Sequence, residues 1–341
     1  MEETYFLGAN SRSGFASLYR HFADEPGAFL HVIKGGPGTG KSGLMRRIAE
    51  AARARGLDTE TVLCSGDPDS LDGVYIPALR QGWADGTAPH TMDPSHFGAD
   101  GDYVDLGRFC RPLHLADRER VLSLNAAYRA RYAAAYRWLA AVGALADAAK
   151  APALPNEAQE KLRRRIRGVL RRTKHGGNGG RETRRFLSAI SCRGLLRLPL
   201  PEPYSQVYRI ESPRGLAPRV LQIAAEEAAA LGLDRIICPS PLDPALPEAL
   251  LLPGTGLALV GGSAEGTRSL RPDALLPPES GEERQTRRRA LKTRDAALES
   301  AVAELRRAKA LHDELEAVYR PYMDFAALTA FTDRTIEEIF K

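Results

Sequence analysis

The sequence has few cysteines, few aromatic residues and no long uninterrupted apolar run. Its four cysteines are far apart and form no C-x-x-C pair: Cys64, Cys110, Cys192 and Cys238. That spacing argues against a zinc ribbon or a disulfide scaffold and is typical of a reducing compartment. The most apolar stretch, residues 245–262, is broken by Pro and Gly and is too short to span a bilayer. The acidic start, MEETYFLGAN, does not look like a signal peptide, so we expect a cytoplasmic protein with no transmembrane segment.

Positive charge is concentrated in one segment of the 341 residues. Residues 161–185 carry eleven Lys/Arg and one Glu, whereas the whole chain has a net charge of only +5. The pattern predicts an amphipathic helix over about 155–173, followed by a flexible Gly-rich stretch. Such Arg density indicates a nucleic acid or an anionic membrane surface as a partner, contacted through backbone phosphate because aromatic residues for stacking are lacking. A solvated helix, or an arginine reaching into a nucleotide site, would give the same pattern.

The stretch FLHVIKGGPGTGKSGLMRRIAEAARARGLD (29–58) contains a complete G-x-x-x-x-G-K-[ST] motif. An apolar strand precedes it and an amphipathic helix follows it, which is the context that a phosphate-binding loop requires. Glycines let successive N–H groups turn toward phosphate oxygens, and the helix N-terminus adds partial positive charge. Lys41 would contact the β- and γ-phosphates, and Ser42 would be a ligand of Mg²⁺. The predicted nucleotide-contacting set is Gly35, Gly36, Pro37, Gly38, Thr39, Gly40, Lys41, Ser42 and Gly43.

A phosphate loop of this kind needs an acidic residue at the end of a neighbouring strand, close to Mg²⁺. Asp85 follows Trp83 and Ala84 and is the candidate, although Arg80, Gln81 and Gly82 make a poor strand and a surface turn is the alternative. Three further acids, Asp67, Asp69 and Asp72, follow a strand predicted at 61–64. They could approach Mg²⁺ or orient a water molecule, or they could cap a turn.

His90, Asp93 and His96 lie close together in PHTMDPSH. Their spacing fits no standard zinc pattern and no cysteine is near. A structural loop, or His90 as a group that senses the γ-phosphate, is the preferred interpretation.

Four stretches together resemble a family of uncharacterised bacterial ATPase-like proteins that carry two tandem P-loop halves: ANSRSGF (9–15), KGGPGTGKSGLM (34–45), CSGDPDSLDGVYIP (64–77) and DGTAPHTMDP (85–94). The resemblance covers the first 110 residues and is weaker beyond. It implies nucleotide binding by residues 35–42 and makes Asp67, Asp69, Asp85 and His90 pocket candidates. It implies no particular substrate or pathway.

Internal comparison reveals a second copy of this plan. FLGANSRSGF (6–15) and FLSAISCRGL (186–195) match at an offset of 180, and GLD recurs at 56–58 and 232–234, an offset of 176. Asp67-Pro68 and Asp243-Pro244 match at the same offset of 176. Helical tails at 139–148 and 305–314 match more weakly. Several matches in order at a nearly constant offset predict an internal duplication.

The second copy lacks the phosphate-binding residues. ESPRGLAP (211–218) stands where GGPGTGKS stood, so that Ala217 replaces Lys41 and Pro218 replaces Ser42. Glu211 would repel phosphate, and Pro218 has no N–H to donate. The strand that corresponds to Asp85, within GLALVGG (256–262), has no acid. The second half should therefore keep its fold without phosphate chemistry, unlike family members with two full loops.

The predicted fold is α/β, with two tandem P-loop NTPase-like three-layer sandwiches and helical extensions. The predicted parts are an ATP-binding lobe (1–115), a helical extension with the basic segment (116–183), a degenerate lobe (184–276) and a C-terminal helical extension (277–341), with a linker at 277–285. The predicted function is Mg²⁺-dependent ATP hydrolysis. ATP is preferred over GTP because no N-K-x-D motif for guanine is present. Catalysis would come from Lys41 and Asp85, with Asp67 and His90 as further candidates. A small-molecule kinase or a nucleotide-regulated nucleic-acid-binding protein is the alternative.

Overall fold

The protein is described here by a computed structural model covering residues 2–88, 91–150, 153–172, 179–201, 204–262 and 268–341. The α/β class predicted from the sequence is confirmed. The strands of the first half are β1 (Glu2–Phe6), β2 (Gly8–Ser11), β3 (Gly14–Ser17), β4 (Phe29–Lys34), β5 (Thr59–Leu63), β6 (Leu71–Ile76), β7 (Gln81–Asp85) and β8 (Gly101–Asp105). Those of the second half are β9 (Glu182–Arg184), β10 (Ser188–Ser191), β11 (Gly194–Arg197), β12 (Gln206–Ile210), β13 (Arg235–Pro239), β14 (Pro247–Leu252), β15 (Leu257–Gly261) and β16 (Arg268–Leu270).

Six helices accompany these strands in the described residues. They are α1 (Lys41–Ala54), α2 (Leu115–Ala148), α3 (Asn156–Leu170), α4 (Ala217–Ala230), α5 (Gly281–Tyr319) and α6 (Phe325–Ile339). No helix in the described part of the chain is both long enough and apolar enough to cross a bilayer.

The two halves contain the same mixed sheet. The first sheet has the order β1-β5-β6-β7-β4-β8, and the second has β9-β13-β14-β15-β12-β16. In each sheet the third strand of this order, β6 or β14, is antiparallel to both of its neighbours. All the other pairings are parallel. Each strand of the second sheet thus occupies the position of its counterpart in the first. The identical order agrees with the duplication that the sequence repeat predicts.

The two halves meet around a local two-fold axis near the first strands. The amide of Phe6 donates to the carbonyl of Phe186 at 2.9 Å, and the amide of Phe186 donates back to the carbonyl of Phe6 at 2.9 Å. These are the residues that the repeat aligns. Hairpins β2–β3 and β10–β11 follow and contact each other beside the axis. The halves therefore share a continuous, symmetric interface.

The long helices α2 and α5 pack against each other in antiparallel directions. Tyr128 contacts His312 with ring centroids 5.8 Å apart, and Arg131 pairs with Glu304 at 3.3 Å, so numbering rises along one helix as it falls along the other. Helix α5 begins earlier than predicted. Ser280 and Glu283 form a reciprocal capping box, so residues 281–285 are helical and only the residues before them link the elements.

Each half covers its partner's sheet with its last helix. Helix α3 packs into the core formed with α4, and α6 packs against the core formed with α1. The apolar face of α3, which lies within the amphipathic helix predicted over about 155–173, is therefore buried against the opposite half, and α6, which was not predicted, is buried in the same way. Helix α3 of the predicted extension 116–183 thus packs in the core of the second half, and α6 of the predicted extension 277–341 packs in the core of the first.

Candidate phosphate-binding site

The intact motif forms a loop between β4 and α1. Lys41 lies at the first position of the helix, and its Nζ donates to the carbonyls of Gly35 at 2.8 Å and Gly36 at 2.9 Å. Its side chain is 12% exposed, so the ammonium group is held inside the loop. The hydroxyl of Thr39 donates to the same Gly36 carbonyl at 2.8 Å. The loop is thus a closed turn with a cation at its centre.

Glycine is required in this loop for backbone conformation and for space. Gly38 and Gly40 have φ values of +71° and +87°, which side-chain-bearing residues rarely adopt. A Cβ on Gly38 would lie 3.3 Å from the backbone of Glu316, and a Cβ on Gly40 would lie 2.7 Å from Leu328 Cδ2. The end of α5 and the start of α6 therefore pack directly on the loop, and the second repeat's tail supports the first repeat's motif.

The start of α1 is suited to an anion. Its first amides have no partner within the helix, and its N-cap residue is Gly40, which has no side chain to cap them. Ser42 lies in the first turn, and its Oγ accepts the amide of Leu71 at 2.9 Å. That bond fixes the hydroxyl beside the start of β6, with its proton and a lone pair still available. The helix dipole adds partial positive charge at this end.

Asp85 ends a well-formed strand beside the loop, although the sequence indicated a poor strand. Strand β7 is parallel to β4, with Asp85 opposite Ile33, and Trp83 within it is 1% exposed. The Asp85 carboxylate lies 3.6 Å from Lys41 Nζ. Its other oxygen accepts the amide of Thr87 at 2.8 Å and the hydroxyl of the same residue at 2.6 Å. The structure therefore brings Asp85 to the loop, and the surface-turn alternative is wrong.

The three acids Asp67, Asp69 and Asp72, two in loop 64–70 and the third in β6, all have partners. Asp67 caps its own turn, accepting the hydroxyl of Ser70 at 3.2 Å, and lies 3.4 Å from Lys309 Nζ. Asp69 pairs with Arg193, and Asp72 is buried and accepts the hydroxyl of Tyr19. Turn capping and ion pairing account for Asp67 and Asp69, so the structure assigns neither of them to the phosphate loop.

The histidine group does not come together as a metal site among the described residues. Asp93 pairs with Lys34 at 3.3 Å and accepts the hydroxyl of Tyr103 at 3.0 Å; the hydrogen bond from Tyr103 and the ion pair lower the pKa of Asp93. His96 pairs instead with Asp100 at 2.9 Å. His90 lies outside the described residues, so its predicted role stays a prediction.

In the second half the equivalent loop is occupied by the protein's own carboxylate. Asp273 accepts the amide of Arg214 at 2.9 Å and is hydrogen-bonded to the hydroxyl of Ser212. These two loop residues align with Gly38 and Gly36, so a carboxylate takes the place that phosphate would need. The charge of Glu211 is balanced by Arg209 and Arg271, the latter at 2.9 Å.

The cation and acid of the first loop are both missing from the second. The register aligns Ala217 with Lys41 and Gly261 with Asp85. A Cβ on Gly261 would lie 3.2 Å from the Cβ of Ala217. Close apolar packing thus replaces the ion pair, and the second half keeps its fold with no charged group at this position.

The predicted helix of the basic segment is α3, and part of its charge is neutralised. Arg163 and Arg167 both bind Glu227, at 2.9 Å and 2.6 Å, and these ion pairs, the one with Arg167 above all, lower the pKa of that carboxyl. Arg164, Arg165, Arg171 and Arg172 are exposed. Residues 173–178 of the segment lie outside the described residues. The nucleic-acid or anionic-surface role of 161–185 stays a prediction.

Comparisons with protein-family models, with curated proteins and with solved structures found no match to this chain. Sequence reasoning missed the groups that the second half contributes: Arg193, Lys309, Glu316, Tyr319 and Leu328. They are more than 120 residues away from the loop they approach, and no local pattern connects them to it.

Proposed function

We propose that the first half binds Mg·ATP at residues 35–43 and hydrolyses it, and that the second half is a P-loop-like lobe without phosphate chemistry. The observation that carries this proposal is the pairing of Lys41 with Asp85. One belongs to the loop after β4, and the other ends the adjacent parallel strand. Ligands of open α/β sheets bind beyond the carboxyl ends of the strands, where both groups lie. The loss of both groups from an otherwise equivalent second half supports the same interpretation.

The residues present suit a magnesium ion and a triphosphate. Mg²⁺ prefers hard oxygen ligands and usually binds one or two protein oxygens together with phosphate oxygens. Ser42 and Asp85 offer a hydroxyl and a carboxylate, and these are the residues that would hold the ion. When bound, Mg²⁺ would neutralise charge on the phosphates. Lys41 would exchange the carbonyls of Gly35 and Gly36 for phosphate oxygens, and the first amides of α1 would donate to them.

The surroundings of the aspartates in and beside loop 64–70 favour hydrolysis over transfer of phosphate to a small-molecule acceptor. In a kinase, one of Asp67, Asp69 and Asp72 would need to accept a proton from the hydroxyl of the acceptor. Asp67 is instead paired with Lys309 and Asp72 is bound to Tyr19, whereas Asp69 is 65% exposed and therefore open to solvent water rather than enclosed with a bound acceptor. Water is therefore the acceptor that we propose. The identity of the base, adenine, follows from the sequence expectation and is tested by competition with GTP.

Replacing Asp85 by asparagine should lower Mg²⁺-dependent phosphate release by at least about tenfold, because a neutral amide cannot replace a carboxylate beside the ion. The matched control is Asp105→Asn. Asp105 ends β8, the strand on the other side of β4, and within the described part of the chain its carboxylate accepts only the amide of Gly107, at 2.8 Å. Phosphate release is measured against Mg²⁺ concentration for both variants. Equal loss of activity in the two variants would remove Asp85 from the proposed site.

A further inference from the structure

The two hairpins at the local axis each extend into the opposite half. The amide of Arg12, at the tip of β2–β3, donates to the carbonyl of Leu242 at 3.0 Å. The amide of Cys192, at the tip of β10–β11, donates to the carbonyl of Gly66 at 3.4 Å. The tips therefore touch equivalent loops, one beside the degenerate motif and the other beside the intact one.

An arginine projects from each tip, but the two arginines are held differently. Arg12 binds Asp147 at 2.6 Å and Asp243 at 3.4 Å, and a Cβ on Gly143 would lie 2.5 Å from its Nε. It is therefore packed closely against α2. Arg193 pairs with Asp69 alone among the described residues, and the two side chains are 53% and 65% exposed. An exposed pair of this kind is worth little, so the guanidinium can leave Asp69 at small cost.

The repeat shows that Arg193 belongs to one side only. The alignment places Ser13 opposite Arg193 and Cys192 opposite Arg12, so the two arginines are not copies of one ancestral residue. The second half has thus placed an arginine toward the intact loop at a position where the first half has a serine.

Arg193 is connected to the first two turns of α1 through loop 64–70. Its partner Asp69 is fixed there, because Arg46 of α1 donates to the Asp69 carbonyl at 2.7 Å. Two residues later the amide of Leu71 binds Ser42 Oγ. Loop 64–70 thus holds the Arg193 guanidinium beside the first turns of α1, near the serine that we propose as a magnesium ligand.

We propose that Arg193 is a catalytic arginine that the second half supplies to the first, exchanging Asp69 for oxygens of the γ-phosphate as hydrolysis proceeds. This inference rests on the function proposed above. The oxygen of a water molecule forms a bond to the γ-phosphorus, and the bond from that phosphorus to the oxygen of ADP breaks. One water proton stays on the released phosphate, and the other passes to solvent. A planar guanidinium stabilises the charge that spreads over the phosphoryl oxygens.

The degenerate half then has a definite role. It has lost its own loop chemistry, but its hairpin carries the arginine and its α5 and α6 support the intact loop. ATP hydrolysis would require contact between the halves, so nucleotide state and the position of the hairpin would be coupled.

The test compares Arg193→Ala with Arg12→Ala and Asp69→Ala, measuring turnover, ATP affinity and melting temperature on the full chain. We expect Arg193→Ala to lower kcat by about 100-fold or more, with ATP affinity within about threefold of the wild type. Arg12→Ala makes the matched change at the other hairpin and should keep a kcat within about threefold of the wild type. Asp69→Ala removes the resting partner of Arg193 and should keep or raise kcat.

Each other outcome counts against a specific statement. If Arg193 only fastened the halves together, Asp69→Ala would reproduce the Arg193→Ala phenotype, and the inference would be overturned. Wild-type turnover in Arg193→Ala would overturn it as well while leaving the proposed function intact. If the wild type binds no Mg·ATP, both the proposed function and the inference are wrong.

Discussion

Replacing Lys41 by alanine is expected to weaken Mg·ATP binding by at least about tenfold, because hydrogen bonds to charged groups contribute about 1.5–3 kcal/mol each. Turnover should fall further, by about 100- to 1,000-fold, as when one donor to a developing anion is removed. The ammonium group already lies inside the loop, bonded to the carbonyls of Gly35 and Gly36, so it needs little reorganisation to meet phosphate. Calorimetry gives the affinity, and phosphate release on the same samples gives the rate.

The control for Lys41→Ala is Arg46→Ala. Arg46 is on the same helix and carries the same charge, but its side chain contacts the backbone of Asp69 rather than the loop. Its removal should leave ATP affinity nearly unchanged. Melting temperatures of both variants without nucleotide separate a loss of binding from a loss of fold. Equal affinity in wild type and Lys41→Ala would mean that the loop does not bind the triphosphate.

Replacing Arg185 by methionine should destabilise the protein by about 3–5 kcal/mol, the usual cost of breaking a buried ion pair. Arg185 is 6% exposed, and its guanidinium makes two bonds to Glu60, at 2.8 Å and 3.2 Å. A third donor reaches the carbonyl of His21 at 2.7 Å. Glu60 is in β5 of the first half and Arg185 directly follows β9 of the second, so this pair joins the halves. The free energy of unfolding in urea measures the effect.

The Arg185→Met deficit should also depend on pH. Burial, and after it the charge of Glu60, raise the pKa of Glu3, which lies opposite Glu60 in the sheet, while Arg185 opposes that rise. When the pKa of a carboxyl is higher in the folded than in the unfolded protein, the protein loses stability as the pH rises from the unfolded pKa toward the folded pKa. Without Arg185 this loss of stability is greater. The difference in free energy of unfolding between the wild type and Arg185→Met should therefore be largest at neutral pH and smaller near pH 4, close to the ordinary Glu pKa of about 4.3.

Two further variants complete the Arg185 test. Arg185→Met combined with Glu60→Gln removes both charges and should recover part of the lost stability. Arg294→Met removes a half-buried arginine whose partner, Asp295, is exposed, and should cost no more than about 0.5 kcal/mol. A loss in Arg185→Met as small as that in Arg294→Met would show that the pair does not hold the halves together.

The sequence predicted the intact loop well because its signals are local. A short apolar strand, a glycine-rich turn and an amphipathic helix lie within 29–58, and β4 and α1 form there. The position of Asp85 after Trp83 and Ala84 makes it a candidate, but the residues before them, Arg80, Gln81 and Gly82, predict only a poor strand. Residues 81–85 are buried by pairing with β4 and β6, which the composition of the strand alone does not reveal.

Other features could not be read from the sequence because they depend on contacts between distant residues. Periodicity predicted an amphipathic helix over about 155–173, which contains α3, but it did not show that this helix covers the opposite half, and no helix was predicted over the residues of α6. The sequence attributes the predicted loss of phosphate binding by the second loop to Glu211 and Pro218. In the structure Glu211 is paired with arginines, and Asp273, about 60 residues away, fills the loop. Only the folded chain brings that carboxylate to its position.

The most direct test of one intact and one degenerate half is the stoichiometry of Mg·ATP binding to the full chain by calorimetry. The account predicts one nucleotide per chain, displaced poorly by GTP, and binding to Lys41→Ala that is weaker by at least about tenfold. Two nucleotides per chain would contradict it, because Asp273 would then not exclude phosphate from the second loop. No binding would contradict it as well, because the Lys41–Asp85 pair would then be a structural ion pair only.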